Sequence, residues 1–272
     1  MTKILFFLFS AINSTLKGKI KANNQRDFFK FLSKLGVREF HSNYLGVDFL
    51  LDPVNSSVSS RLVLQNDFEK SDIQNLISLV PHEGNFLDIG GNIGLYSCLI
   101  SSNRPEVKVY AFEPANHVFR TLLQNTSVFK NVLPINLGLG NDNSIHTFFE
   151  YEDDALSSFV EGERSKLVRV NNAFVMKGDD FISTYKLENI CGIKIDVEGF
   201  ELDVIRGLAT TLSEQSPIIQ IELIHTVPNA HETHKLLLEL GYTAFYWEGD
   251  ILTGTDLLKS TEYNYIYKKL TS

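Results

Sequence analysis

Cysteine is nearly absent from this sequence. Only Cys98 and Cys191 carry a thiol, too few for a disulfide framework and without the paired spacing of a metal site. Both adjoin apolar runs and read as buried free thiols in a reducing compartment. Positive charge is not in excess either: the formal net charge is −8, which argues against a general nucleic-acid binder. No low-complexity linker and no internal repeat interrupts the chain. Its 272 residues are enough for one large core in one or two domains. Near the N-terminus, ILFFLFSAI follows Lys3 as a nine-residue segment without a charge, too short for a membrane span of about 20. No clean small-x-small cleavage site follows it, so residues 1–20 read as an interfacial helix or as a cleaved signal. A cytoplasmic protein is the expectation, with membrane-peripheral contact as an extension of it.

What charge there is lies unevenly. Residues 1–38 hold eight basic side chains against one acid, Asp27. A basic arm on an acidic body suits an anionic membrane surface, and equally suits a solvated helix face. Residues 1–45 are expected to form this helical basic extension, with a helix over 24–36 on which Phe28, Phe29, Leu32 and Leu35 recur at helical spacing. Residues 46–272 are expected to form a single enzyme domain. YLGVDFLLD reads as a strand preceded by a turn, and 69–80 as a helix with Ile73, Leu76, Ile77 and Val80 on one face. From residue 85 strands and helices alternate. NFLDI, VKVYAFE, VLPINLGL, CGIKIDV and PIIQIELI are the strands, IHTFFEY and KLVRVNNAFV an inserted hairpin, and YTAFYW and YNYIYKKL the closing strands. A helix carrying Phe200, Val204, Leu208 and Leu212 follows CGIKIDV, and HKLLLELG is a helix stopped by Gly241. That alternation predicts an α/β fold with a mostly parallel, Rossmann-like doubly wound sheet and helices on both faces. Such sheets bind ligands beyond the carboxyl ends of their strands.

FLDIGGNIGLY, residues 86–96, stands at such an end. Gly90 and Gly91 permit a sharp turn and Gly94 a close helix. The spacing is not the G-x-G-x-x-G of a dinucleotide site, and Asp88 stands two residues before the glycines. An acid there would repel a pyrophosphate. It suits S-adenosylmethionine, which carries an ammonium and a sulfonium and no phosphate, with turn amides left to take its carboxylate. Glu113 ends the next strand and is placed to accept hydrogen bonds from a ribose diol. IKIDVEGFELDVIRG, residues 193–207, brings Asp196 and Glu198 to the same sheet edge. Glu201 follows in a first helical turn, where it favours the helix dipole. IQIELIHT adds Glu222 and His225, and a glutamate in so apolar a strand needs a partner. Asp196 is the first candidate for general base, His225 the second. A third option is a divalent metal, Mg²⁺ or Mn²⁺, held by Asp196, Glu198 and Glu222.

FLDIGGNIGLYS, VYAFEP and IKIDVEGFE, with the lead-in DFEKSDIQNLISLVPHEGN, resemble the FkbM-type S-adenosylmethionine-dependent methyltransferases over roughly residues 46–225. The resemblance implies a class I methyltransferase fold with a seven-stranded sheet and one antiparallel strand near its edge. It implies O-methylation of a sugar, glycan, glycolipid precursor or other small-molecule hydroxyl. Carried over, Asp88, Gly90, Gly91, Asn92 and Gly94 would hold the methionine part and Glu113 the ribose. Leu139, in NLGLGND, would lie at the adenine, Glu69 would approach from the lead-in, and Asp196 and Glu198 would form the reaction edge. Gly91 departs from the family's usual alanine, and Asp142 stands one position later than the acid common there. Two other classes stay open: an NAD-dependent oxidoreductase, opposed by the missing glycine spacing and Tyr-x-x-x-Lys pair, and an inactive nucleotide-binding module. Ser157 and Ser158 in the insert, and Tyr246, Trp247 and Tyr263 near the C-terminus, are candidate acceptor contacts.

Overall fold

A computed structural model describes residues 29–36, 40–64, 67–163, 165–259 and 261–270. Residues 1–28, with the apolar run and most of the basic arm, lie outside the described residues. Of the helix expected over 24–36, residues 29–34 are helical and Gly36 follows at φ +88°, a left-handed stop that costs glycine little. No helix among the described residues is long and apolar enough to cross a membrane.

The chain then forms a hairpin, β1 (Phe40–Tyr44) and β2 (Val47–Leu51), antiparallel and turned by Leu45 and Gly46 at positive φ. The single strand read in YLGVDFLLD is therefore the second arm of a pair. The boundary drawn at 45/46 falls in this turn, and Phe29, Phe40 and Tyr44 share a buried cluster with Phe86 and Val107. Two helices follow, α1 (Ser57–Leu64) and α2 (Lys70–Leu79), the second burying Ile73 and Leu76. Next come β3 (Glu83–Ile89), α3 (Leu95–Asn103), β4 (Glu106–Phe112), α4 (Asn116–Thr126) and β5 (Val132–Ile135). Then β6 (Gly138–Gly140), β7 (Ser144–Tyr151) and β8 (Leu167–Lys177) make a separate three-stranded sheet, and α5 (Gly178–Tyr185) returns to the main body. The remainder is β9 (Ile190–Ile195), α6 (Glu201–Gly207), α7 (Ala209–Gln215), β10 (Ile218–Glu222), α8 (Pro228–Glu239), β11 (Thr243–Glu248), β12 (Ile251–Thr255) and β13 (Asn264–Lys268).

The main sheet has eight strands, not seven, in the order β12-β11-β13-β10-β9-β3-β4-β5. Its five strands from β5 to β10 are parallel, while β13 runs antiparallel between β10 and β11. The eighth strand, β12, pairs back on β11 at the sheet edge. Two antiparallel strands, rather than one, thus lie toward that edge. The expected hairpin is β7 and β8, and β6 pairs parallel with β8, so VLPINLGL splits into a main-sheet strand and an insert strand. The single helix expected around Phe200 to Leu212 is also divided, at Leu208, although all four of its named apolar residues are buried.

Both faces of the sheet are covered. In β3 the adjacent residues Phe86 and Leu87 are fully buried yet belong to different clusters, as alternation along a strand requires. The Leu87 side packs Phe181, Val204, Leu208 and Leu237 from α5 to α8. The Phe86 side packs Ile73, Leu76, Leu99 and the β1–β2 hairpin. Strand order reverses between β3 and β9, since β4 and β5 lie to one side and β10 to the other. A ligand cleft is expected at that switch.

Candidate active site

A cleft of about 270 Å³ opens there. Its floor is the strand ends: Ile89 and Gly90 after β3, Phe112 and Glu113 after β4, Asp196 to Glu198 after β9, and Glu222 at β10. One wall is α1 with Phe68 and Glu69, and the opposite wall is the insert, residues 154–159.

Gly90 sits at φ +80°, and a Cβ on it would overlap the carbonyl oxygen of Asp196. Only glycine permits that approach of β3 to β9. Gly94, at φ +88°, lets α3 pack against Leu122. Gly91 has no such need, since a Cβ there would meet nothing nearer than 3.5 Å. The amides of this turn are already used. Gly90 and Gly91 donate to Phe112 O, Gly94 donates to Gly91 O, and Ile93 donates to the Asn92 side chain. Asn92 N donates to Glu113 Oε2 at 3.0 Å. The turn therefore holds no free amide between 90 and 94 for a ligand carboxylate or phosphate, contrary to the sequence reading.

Glu113 is buried and takes Ala115 N on its other oxygen at 2.8 Å. Burial pushes its carboxyl up to about 7, with the Ala115 and Asn92 amides pulling the other way. Each oxygen keeps a second lone pair, so an ionised Glu113 can still accept two hydroxyls.

Asp88 is elsewhere. It is fully buried, takes Ser97 N at 3.0 Å and Ser97 Oγ at 2.5 Å, and does not line the cleft. It serves the first turn of α3, satisfying an amide the helix leaves orphaned. Gly91, Gly94 and His225 are also absent from the cleft lining, whereas Glu69, Gly90, Asn92, Glu113, Leu139, Asp196, Glu198 and Glu222 are on it. The His225 carbonyl accepts from His231 Nε2 at 3.0 Å, while its own buried Nδ1 has no hydrogen-bond partner among the described residues.

At the reaction edge, the carboxylate oxygens of Asp196, Glu198 and Glu222 lie within 4.8 Å of one another. Burial, then the charges of Asp196 and Glu198, raise the Glu222 carboxyl far above its ordinary range, and it hydrogen-bonds Asp196. Its surroundings thus hold Glu222 toward the protonated form. Glu201 orders the loop beneath, accepting Gly199 N at 3.0 Å and Val197 N at 3.4 Å.

Sequence reasoning missed Lys194, whose ammonium is buried 3.2 Å from Asp196 Oδ2 and 3.4 Å from Gly90 O. Its signal was a lysine inside ICGIKI, an otherwise apolar strand. Register places it between Asp88 on β3 and Gln220 on β10, a polar row across the sheet. Tyr96 packs against that row. It accepts Gln220 Nε2 at 2.9 Å, lies under Lys194 Nζ at 5.0 Å, and hydrogen-bonds Glu69. Also missed were Arg61 on the α1 wall and the aromatic group Phe148, Phe159 and Phe200 beside the cleft.

The insert is fastened over the cleft. His117 Nε2 meets Asp154 Oδ1 at 2.9 Å, and that bond raises the imidazole's pKa against the opposing effect of burial. Ser57 N donates to Asp153 at 3.0 Å, and Ser158 Oγ donates to Val197 O at 3.0 Å. Ser157 and Ser158 line the cleft, but both hydroxyls are engaged within the protein. Asp142 binds Ser144 and His146 instead of facing the cleft. Tyr246, Trp247 and Tyr263 do not line it.

Sheet, switch point, glycine turn and strand-end acids together define an α/β enzyme of the methyltransferase class. Residues 88–244 match the methyltransferase FkbM domain, and the chain belongs to that family. It is 28% identical to the hexuronic acid methyltransferase AglP of Haloferax volcanii over 173 residues, which cover 63% of this chain and 68% of that protein. It is 26% identical over 148 residues to methyltransferase 1 of Beauveria bassiana, covering 47% of this chain and 59% of the relative. The crystal structure of an FkbM methyltransferase from Methylobacillus flagellatus superposes with a TM-score of 0.48 at 18% identity, over 69% of this chain and 44% of the other.

Proposed function

We propose that the chain transfers a methyl group from S-adenosylmethionine to a hydroxyl of a sugar, glycan or glycolipid precursor. The observation that carries it is one cleft joining Glu113, with two open acceptor positions, to the carboxylate trio of Asp196, Glu198 and Glu222. The residues fit the cofactor. Glu113 would hold the ribose diol and Leu139 the adenine face, while Gly90 and Asn92 form the floor beneath. A dinucleotide fits poorly, because the lining holds six acids against the single basic residue Arg61 and the turn amides are spent. When bound, the cofactor supplies an electrophilic methyl on a sulfonium.

The acceptor oxygen needs positioning and loss of its proton. Positioning contributes several kcal/mol of barrier reduction, and a base about 10²- to 10⁴-fold in rate. Asp196 is the base in this reading. Lys194 holds one of its oxygens and Glu222 hydrogen-bonds the carboxylate, which fixes its direction while it receives the acceptor proton. A sugar acceptor draws on the hexuronic acid relative and on the polar cleft.

The same trio also offers an oxygen-only set for Mg²⁺ or Mn²⁺. Lys194 already compensates part of its charge, which favours the metal-free reading. The test is transfer of isotopically labelled methyl from S-adenosylmethionine to neutral and uronic-acid glycans, with and without chelator. Label on sugar oxygen, unaffected by chelator, supports the proposal. Label on nitrogen overturns O-methylation, and loss of activity with chelator overturns the metal-free base.

A further inference from the structure

We propose that Arg61 and Glu69 form a two-point clamp for the α-amino-acid head group of the cofactor, Arg61 on its carboxylate and Glu69 on its ammonium. The inference rests on S-adenosylmethionine being the cofactor.

A carboxylate entering this cleft meets six acids, and the glycine turn offers it no amide. Among the described residues one cation, Arg61, lines the cleft. Arg61 projects from the α1 wall together with Ser57 and Val58. Its guanidinium carbon lies 5.2 Å from the centre of the Phe68 ring, and among the described residues Arg61 has no ion pair. Stacking on an aromatic ring orients the guanidinium and leaves its N–H fork open for a bidentate carboxylate.

Glu69 is the next residue after Phe68 and lines the same wall. Its backbone is held at φ 51°, a left-handed conformation that a glutamate adopts at a cost. It caps no amide of α2 with its side chain. Instead it reaches Tyr96, within the field of Asp196 and Lys194. Burial, then the charge of Asp196, pushes its carboxyl up to about 7, and an ammonium beside it would draw that value down. Arg61 and Glu69 do not pair with each other, so the wall presents two opposite charges flanking one aromatic ring. That pattern matches a zwitterion, and a ribose or nicotinamide has no use for it. It also stands in for Asp88 and Gly94, which do not line the cleft.

The experiment is calorimetric titration of S-adenosylhomocysteine and of 5′-methylthioadenosine, which keeps the adenosine and lacks the amino acid. The proteins are wild type, Arg61→Ala, Arg61→Lys and Glu69→Gln, with circular dichroism to confirm folding. Wild type is expected to favour S-adenosylhomocysteine at least about 10-fold, and Arg61→Ala to lose about 10- to 100-fold for it while holding methylthioadenosine within about twofold. Arg61→Lys should recover part of the loss, and Glu69→Gln should show the same selectivity. Equal loss for both ligands, or none for S-adenosylhomocysteine, overturns the clamp. Equal wild-type affinity for the two ligands overturns the clamp alone, and binding of neither overturns the cofactor reading with it.

Discussion

Lys194 and Asp196, two residues apart where β9 ends, meet at 3.2 Å through an ammonium that is itself buried. Burial alone would disfavour this charge, yet Asp196, Asp88 and Glu69 together outweigh it and raise the lysine's pKa. One cation thus faces three acids, of which Asp88 is fully buried and Asp196 keeps a third of its side-chain surface exposed. Lys194→Met should leave them uncompensated and destabilise the protein by about 3–5 kcal/mol, the usual cost of removing one member of a buried pair. Urea unfolding checks this, and a variant within about 0.5 kcal/mol of wild type would contradict it.

The cofactor end should depend on pH. The Glu113 carboxyl lies near 7 in the folded protein against 4.5 in the free side chain. An acid raised in this way favours the folded state fully below its unfolded value and loses that contribution as pH rises through the folded one. Glu69 acts in the same direction. Ligand-free thermal stability should therefore fall from these groups between pH 5 and pH 8. Affinity should move oppositely, because only ionised Glu113 accepts both ribose hydroxyls. S-adenosylhomocysteine should bind about 10-fold tighter at pH 8 than at pH 6. In Glu113→Ala its binding should weaken by about 1.5–3 kcal/mol. Affinity that is flat with pH would place the ribose elsewhere.

At the reaction edge, Asp196→Asn preserves shape and removes the base. Turnover should fall at least about 100-fold with cofactor binding nearly intact. His225→Ala should keep near-wild-type turnover, since His225 does not line the cleft. The reverse pattern in steady-state kinetics would exchange the two assignments.

The two adjacent glycines should behave differently. Gly90→Ala combines a positive φ with overlap on the Asp196 carbonyl and should cost about 2 kcal/mol or more, along with cofactor binding. Gly91→Ala, where a Cβ meets nothing nearer than 3.5 Å, should be neutral within about 0.5 kcal/mol. Thermal denaturation of the pair checks this, and equal costs would show that the turn is not built on Gly90's contact with β9.

Much of this was legible from sequence because period and punctuation agree. Apolar runs ending in Asp88, Glu113, Asp196 and Glu222 marked four strands and the edge where they end. The extra strand β12 was not legible, since ILTGT is short and only half buried at the sheet edge. The break at Leu208 was hidden because its apolar spacing is that of one continuous helix. At the site, residue type did not reveal direction. Asp88 read as a ligand contact because acids before a glycine turn commonly are, but it points beneath the turn to Ser97. Lys194 and Arg61 were not legible, because a lone cation set among acids has no motif of its own.

The central claim is that this cleft takes S-adenosylmethionine, and calorimetric titration at pH 8 tests it most directly. S-adenosylhomocysteine and NAD are titrated separately into the wild-type protein. One saturable site for S-adenosylhomocysteine, abolished or strongly weakened in Glu113→Ala, with no saturable heat from NAD, is the result this account predicts. Saturable binding of NAD without any of S-adenosylhomocysteine would contradict it.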